Sequence, residues 1–211
     1  MFYGCSLFNN GDTGDNGAQP LTFATTAALQ FADYMFGACA AFNQHLVIST
    51  VTGVTTMAQM FNGCFLFNNG VTSNAGGVAL TFTTTTALTD TSQMFGNCRS
   101  FNQTLVVSDM TGVTATTQMF NGCSLFNNGV VTNAGGAPLS FLTSAALVDA
   151  SSMFFACSAF NQALVVSDTT GVATMLAMFF GCSLFNNGVA TDAGGGPSPR
   201  ARTSRTFTTE I

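Results

Sequence analysis

Met-Phe pairs recur along the chain at Met1, Met35, Met60, Met94, Met119, Met153 and Met178, and the intervals alternate between 34 and 25 residues. Each pair opens the same run of apolar and polar positions, M-F-x-x-C-x-x-F-N. A second pattern, L-x-(F/V/I)-x5-(V/L), follows in the first six units. It reads Leu21/Phe23/Leu29, Leu46/Ile48/Val54, Leu80/Phe82/Leu88, Leu105/Val107/Val113, Leu139/Phe141/Leu147 and Leu164/Val166/Val172. Its leading triplet alternates with period two, as one face of a short strand requires. The stretch ahead of each Met-Phe, such as Val54-Thr55-Thr56-Met57-Ala58-Gln59, is apolar at every third position, which predicts one helical or 3₁₀ turn.

Seven units of two lengths, each too small to bury its own apolar side chains, predict a solenoid in which stacked coils share one core. Parallel strands at the usual ~4.7–4.9 Å spacing would then align equivalent side chains into ladders, phenylalanines among them. Long and short units differ by nine residues inserted just after Phe-Asn, at 10–18, 69–77, 128–136 and 187–195. Each insertion opens with Asn-Gly, a turn signal. The solenoid spans 1–196. In 197–211 the core positions are lost to Ser198, Arg200 and Thr206, so this segment reads as a degenerate cap, a tail or a docking arm.

The short unit Met94-Phe95-Gly96-Asn97-Cys98-Arg99-Ser100-Phe101-Asn102-Gln103, with Leu105 and Val113 behind it, resembles the BspA-like leucine-rich-repeat surface proteins. The resemblance extends over residues 1–196. The family often carries tryptophan where this chain has Ile48, Val107, Val166 or phenylalanine. The resemblance implies a right-handed, leucine-rich-repeat-like solenoid on a cell or particle surface, with a role in adhesion and no catalytic residues.

Charge narrows the partners. Charged residues are 6% of the chain, against roughly 25% in a typical domain. There is no lysine, Arg99 is the only arginine before position 200, and the net charge is −5. No basic face exists to neutralise phosphates, which excludes nucleic acid. Apolar residues at 47% exclude classical disorder. Met1 is followed at once by Phe2-Tyr3-Gly4-Cys5, without the basic region of a secretory signal. The densest apolar stretch, 175–185, is about half the ~20 residues of a membrane span.

The repeated polar residues are read as structural. Cys5, Cys39, Cys64, Cys98, Cys123, Cys157 and Cys182 lie at least 25 residues apart, without the close pairs a zinc site uses. A column of small buried thiols is the expectation, with inter-coil disulfides as the alternative. Asn9, Asn43, Asn68, Asn102, Asn127, Asn161 and Asn186 are expected to bond backbone groups of adjacent coils. Asn102-Gln103-Thr104 is an N-glycosylation sequon, and the 31 threonines offer O-linked sites. His45 is read as an exposed bystander. The insertions form a comb of loops, the best candidates for recognising a glycan or protein. Asp12, Asp15 and Asn16 in the first would suit calcium, but the other three lack equivalents.

The pattern predicts a solenoid with no cofactor or metal, and the resemblance implies that it is non-enzymatic, at a surface or extracellular, and structural or adhesive. Uncapped coils predict end-to-end self-association into a filament. The alternative is a monomeric recognition module working through the loop comb.

Overall fold

The computed structural model describes residues 1–11, 20–23, 28–48, 51–72, 79–131, 138–142, 145–166 and 168–186. It is a repeat, solenoid-like β fold with one Met-Phe unit to a coil. The six L-x-(F/V/I) triplets are its strands: β1 (Leu21–Phe23), β2 (Leu46–Ile48), β3 (Leu80–Phe82), β4 (Leu105–Val107), β5 (Leu139–Leu142) and β6 (Leu164–Val166).

The strands pair in parallel but two at a time: β1 with β2, β3 with β4, β5 with β6. The break falls between each short coil and the long coil after it, and its cause is a side chain. In the long coils the first strand N–H donates to the next coil's backbone, as from Leu80 to the Thr104 carbonyl at 2.9 Å. In the short coils a side chain takes that donor: Leu46 N–H donates to Asn69 Oδ1 at 2.9 Å, and Leu105 N–H to Asn128 Oδ1 at 3.1 Å. Asn69 and Asn128 begin their insertions, so the insertion itself caps the neighbouring strand. An unbroken ladder runs elsewhere, through single-residue parallel bridges linking Phe31, Thr56, Asp90, Ala115, Asp149 and Thr174.

The segment ahead of each Met-Phe is not the helical or 3₁₀ turn its spacing predicts. It is a run of overlapping β-turns. Met60 N–H donates to Met57, Asn62 to Gln59, and Cys64 to Phe61, each to a carbonyl three residues back. Gln59 at φ 56° and Gly63 at φ 77° adopt the left-handed value that completes a type II turn and blocks helix propagation. Turns that each reach back three residues accommodate the same apolar period: Val54, Met57 and Met60 are all buried. Other N–H groups of this segment reach the next coil, from Met57 to Asp90, Gln59 to Ser92 and Phe61 to Met94, at 2.8–2.9 Å.

The core is a double column of phenylalanines. Phe36, Phe61, Phe95, Phe120 and Phe154 follow one another at 5.3–5.5 Å between ring centroids. Phe42, Phe67, Phe101, Phe126 and Phe160 form the second column at 5.5–6.0 Å. Within a coil the two rings stack at 4.2–4.6 Å. Near-parallel rings at these separations are the offset stacking that aromatic quadrupoles favour. Coils close up further at Gly112 and Gly171, where a Cβ would fall onto the carbonyl oxygens of Thr86 and Ala145.

Candidate functional site

The cysteines form a column along the stack. Cys39, Cys64, Cys98, Cys123, Cys157 and Cys182 are buried free thiols, and Cys5 is an exposed one. Each buried Sγ–H donates to a phenylalanine carbonyl of the preceding coil, as from Cys64 to Phe36 at 2.9 Å and Cys123 to Phe95 at 2.8 Å. Burial pushes the Cys39 thiol up to about 11 and Cys182 up to about 12, and it raises Cys64, Cys98, Cys123 and Cys157 as well. A thiol held protonated is a poor nucleophile and a poor metal ligand. Among the described residues no group of three His, Cys, Asp or Glu side chains is placed to hold a metal ion.

The asparagines run beside them as a second ladder. Each Oδ1 accepts the backbone N–H of the next asparagine: Asn9 from Asn43, Asn43 from Asn68, Asn68 from Asn102, Asn102 from Asn127, Asn127 from Asn161 and Asn161 from Asn186, at 2.6–2.8 Å. The same oxygens accept a second donor that alternates with coil length. Entering a long coil it is a glycine N–H, Gly70 on Asn43 and Gly129 on Asn102, both at 3.1 Å. Entering a short coil it is a glutamine side chain, Gln103 on Asn68 at 3.0 Å and Gln162 on Asn127 at 2.9 Å.

Reading the repeat alone misses Gln103 and Gln162, their sister Gln44, and the strand-capping Asn69 and Asn128, all buried. Their signal is in the sequence: Phe-Asn-Gln marks every short unit, and Phe-Asn-Asn-Gly every long one. The sequon expectation is corrected by the same geometry. Asn102 is fully buried, and the amide nitrogen a glycan would occupy donates to the Val130 carbonyl at 3.0 Å. A glycan there is incompatible with the folded coil. His45 is half-buried rather than exposed, and its carbonyl accepts the Leu21 N–H. Asp12, Asp15, Asn16, most of the loop comb and all of 197–211 lie outside the described residues.

A separate strip lies on the outer side of the turns, at the positions one before and two after each Met. It starts with Tyr3 and Tyr34, edge to face at 5.3 Å, and ends with Phe155 stacked on Phe180 at 5.0 Å. Between them lie Gln59, Asn62, Gln93, Gln118 and Asn121, all half-buried. Gln59 Nε2 donates to Tyr34 Oη at 2.6 Å, and Asn62 Nδ2 to Gln93 Oε1 at 2.9 Å. Tyr34, Gln59, Gln93, Gln118, Ser152 and Ala177, all just before Met, have φ between 53° and 57°. For a residue with a Cβ that region costs roughly 1–2 kcal/mol.

Among the described residues every buried side-chain nitrogen and oxygen has a hydrogen-bond partner. Among them also, no helix is long and apolar enough to cross a membrane. No curated protein and no solved structure matches the chain. A family profile does match, over residues 1–134 and again over 89–192, taking in nearly the whole stack of coils. The chain thus belongs to the family described as "Mycoplasma protein of unknown function, DUF285".

Proposed function

We propose that this chain is a non-enzymatic solenoid displayed on a cell or particle surface, where its role is structural or adhesive. The observation that supports this reading is the use of the repeated cysteines and asparagines as internal bonds between coils. Catalysis needs ionisable groups poised in pairs, whereas the chemistry repeated here holds one coil to the next. The resemblance to BspA-like surface proteins supports the location. Right-handed winding is part of the proposal, since crossovers between parallel strands are right-handed in about 98% of cases.

Head-to-tail association into a filament belongs to the same reading. Each pair of coils offers the next pair the same donors and acceptors, a stacking mode that a second copy could continue. Antibody labelling of intact cells tests the location: label before permeabilisation is expected, and label only afterwards would refute it. Negative-stain microscopy of the purified chain tests assembly, with fibres expected and monodisperse particles at high concentration counting against it.

A further inference from the structure

We propose that the outer turn strip, from Tyr3 and Tyr34 to Phe155 and Phe180, binds a neutral linear polysaccharide laid along the stack. Three features of the strip carry this. The first is its chemistry. Its five amides both donate and accept, which suits sugar hydroxyls, and its aromatic ends suit the C–H faces of pyranose rings. No charged side chain belongs to the strip. Asp33 beside it is engaged by the Thr56 hydroxyl, and Arg99 lies over the Phe65 ring at 5.1 Å.

The second feature is unused capacity. The Gln118 and Asn121 side-chain amides have no protein partner among the described residues, although the equivalent Gln59 and Asn62 do. In the sixth coil Ser152 stands where Gln93 stands in the fourth, so Asn121 has no amide opposite it. The strip therefore offers free donors and acceptors at its centre, aromatic surface at its ends, and a repeat of one coil. A ligand that itself repeats along its length fits that array.

The third feature is strain. The position before Met requires a left-handed backbone as much as the position before Cys does. Glycine fills the latter in four coils, as Gly4, Gly63, Gly122 and Gly181, with Ala38, Asn97 and Ala156 in the other three, and never fills the former. Side chains are thus kept on this strip against backbone preference, a pattern associated with functional sites.

The assignment deepens the surface reading above and rests on it, but its test uses the purified full chain. Cellohexaose and chitohexaose are titrated against it by calorimetry, and against a variant carrying Gln59→Gly, Gln93→Gly and Gln118→Gly. The expected result is binding of at least one hexasaccharide, weakened at least about tenfold in the glycine variant, whose melting temperature is no lower than the parent's. Asn121→Ala, which leaves the backbone as it is, gives a second variant expected to weaken binding. If neither hexasaccharide binds, or the variants bind as tightly as the parent, the proposal is overturned. Retention on immobilised gelatin that the glycine variant loses would make the strip a protein-docking face, and would also overturn it. Failure here alongside labelling of intact cells would remove the ligand and leave the location standing.

Discussion

The side-chain oxygen of Asn68 accepts the Gln103 amide at 3.0 Å, where in the neighbouring step Asn102 accepts the backbone N–H of Gly129. One acceptor geometry is thus served by two donors, a long side chain in short coils and a turn backbone in long ones. That is why the two unit lengths continue differently after Phe-Asn.

Breaking the ladder from either side should therefore have unequal effects. Gln103→Met keeps the volume and removes one donor from Asn68, which still holds the Asn102 N–H. A loss of roughly 1–2 kcal/mol is expected. Asn102→Leu strands the N–H groups of Asn127 and Gly129 together, for about 2–5 kcal/mol. Urea unfolding of the two variants measures the difference. Equal losses would show that the ladder is not what holds this turn.

Phe65 and Phe67 are two residues apart and should behave oppositely. Phe67 is fully buried and stacks on Phe42, Phe61 and Phe101, so Phe67→Ala should cost about 3–5 kcal/mol. Phe65 is 43% exposed and touches Arg99, so Phe65→Ala should cost no more than about 1 kcal/mol. Thermal melts of both variants decide it.

Gly112→Ala should be among the most damaging single-methyl additions in the chain. The new Cβ would collide with the backbone oxygen of Thr86, which has no rotamer to move away with. A loss of about 3 kcal/mol or more is expected from overpacking. Gly11→Ala, where the space around the Cβ is open, isolates the backbone cost of a positive φ.

The thiol column makes the fold sensitive to alkali. Burial raises the folded thiols above their ordinary value, to about 11 for Cys39 and about 12 for Cys182. The unfolded chain therefore releases these protons first. Their contribution is intact below the unfolded value near 9 and declines as pH climbs towards the folded values. Within that window each thiol removes about 1.4 kcal/mol of stability per pH unit. Unfolding midpoints measured from pH 8 to 11 should fall steeply, and Cys123→Ala should flatten the decline.

Much of this architecture is legible in the sequence, because a repeat states its own alignment. The L-x-(F/V/I) triplets mark the strands, and a residue as small as Cys64 or as polar as Asn68 recurring in every unit marks a ladder. The turns before Met-Phe are not legible, because overlapping turns and a helix share a three-residue apolar period. What separates them is the sign of φ at Gln59, a residue with no left-handed preference of its own. The interruption between β2 and β3 is equally hidden. It depends on where the Asn69 side chain reaches, and composition does not say that. Of the surface strip, the sequence shows only scattered amides until the coils place them in line.

Because the first strand N–H of a long coil finds a backbone carbonyl of the next coil, and that of a short coil finds the asparagine that opens the next insertion, the coils stack as long-then-short pairs. The increment that leaves all ladders in phase is one pair, the 59 residues from Met1 to Met60. Duplicating or deleting such a pair lengthens or shortens the stack by about 9.5 Å and presents no new contact to the rest. Loss of a single coil would set two like units against each other with their donors mismatched. A change of length that keeps the coils in phase thus comes in steps of two.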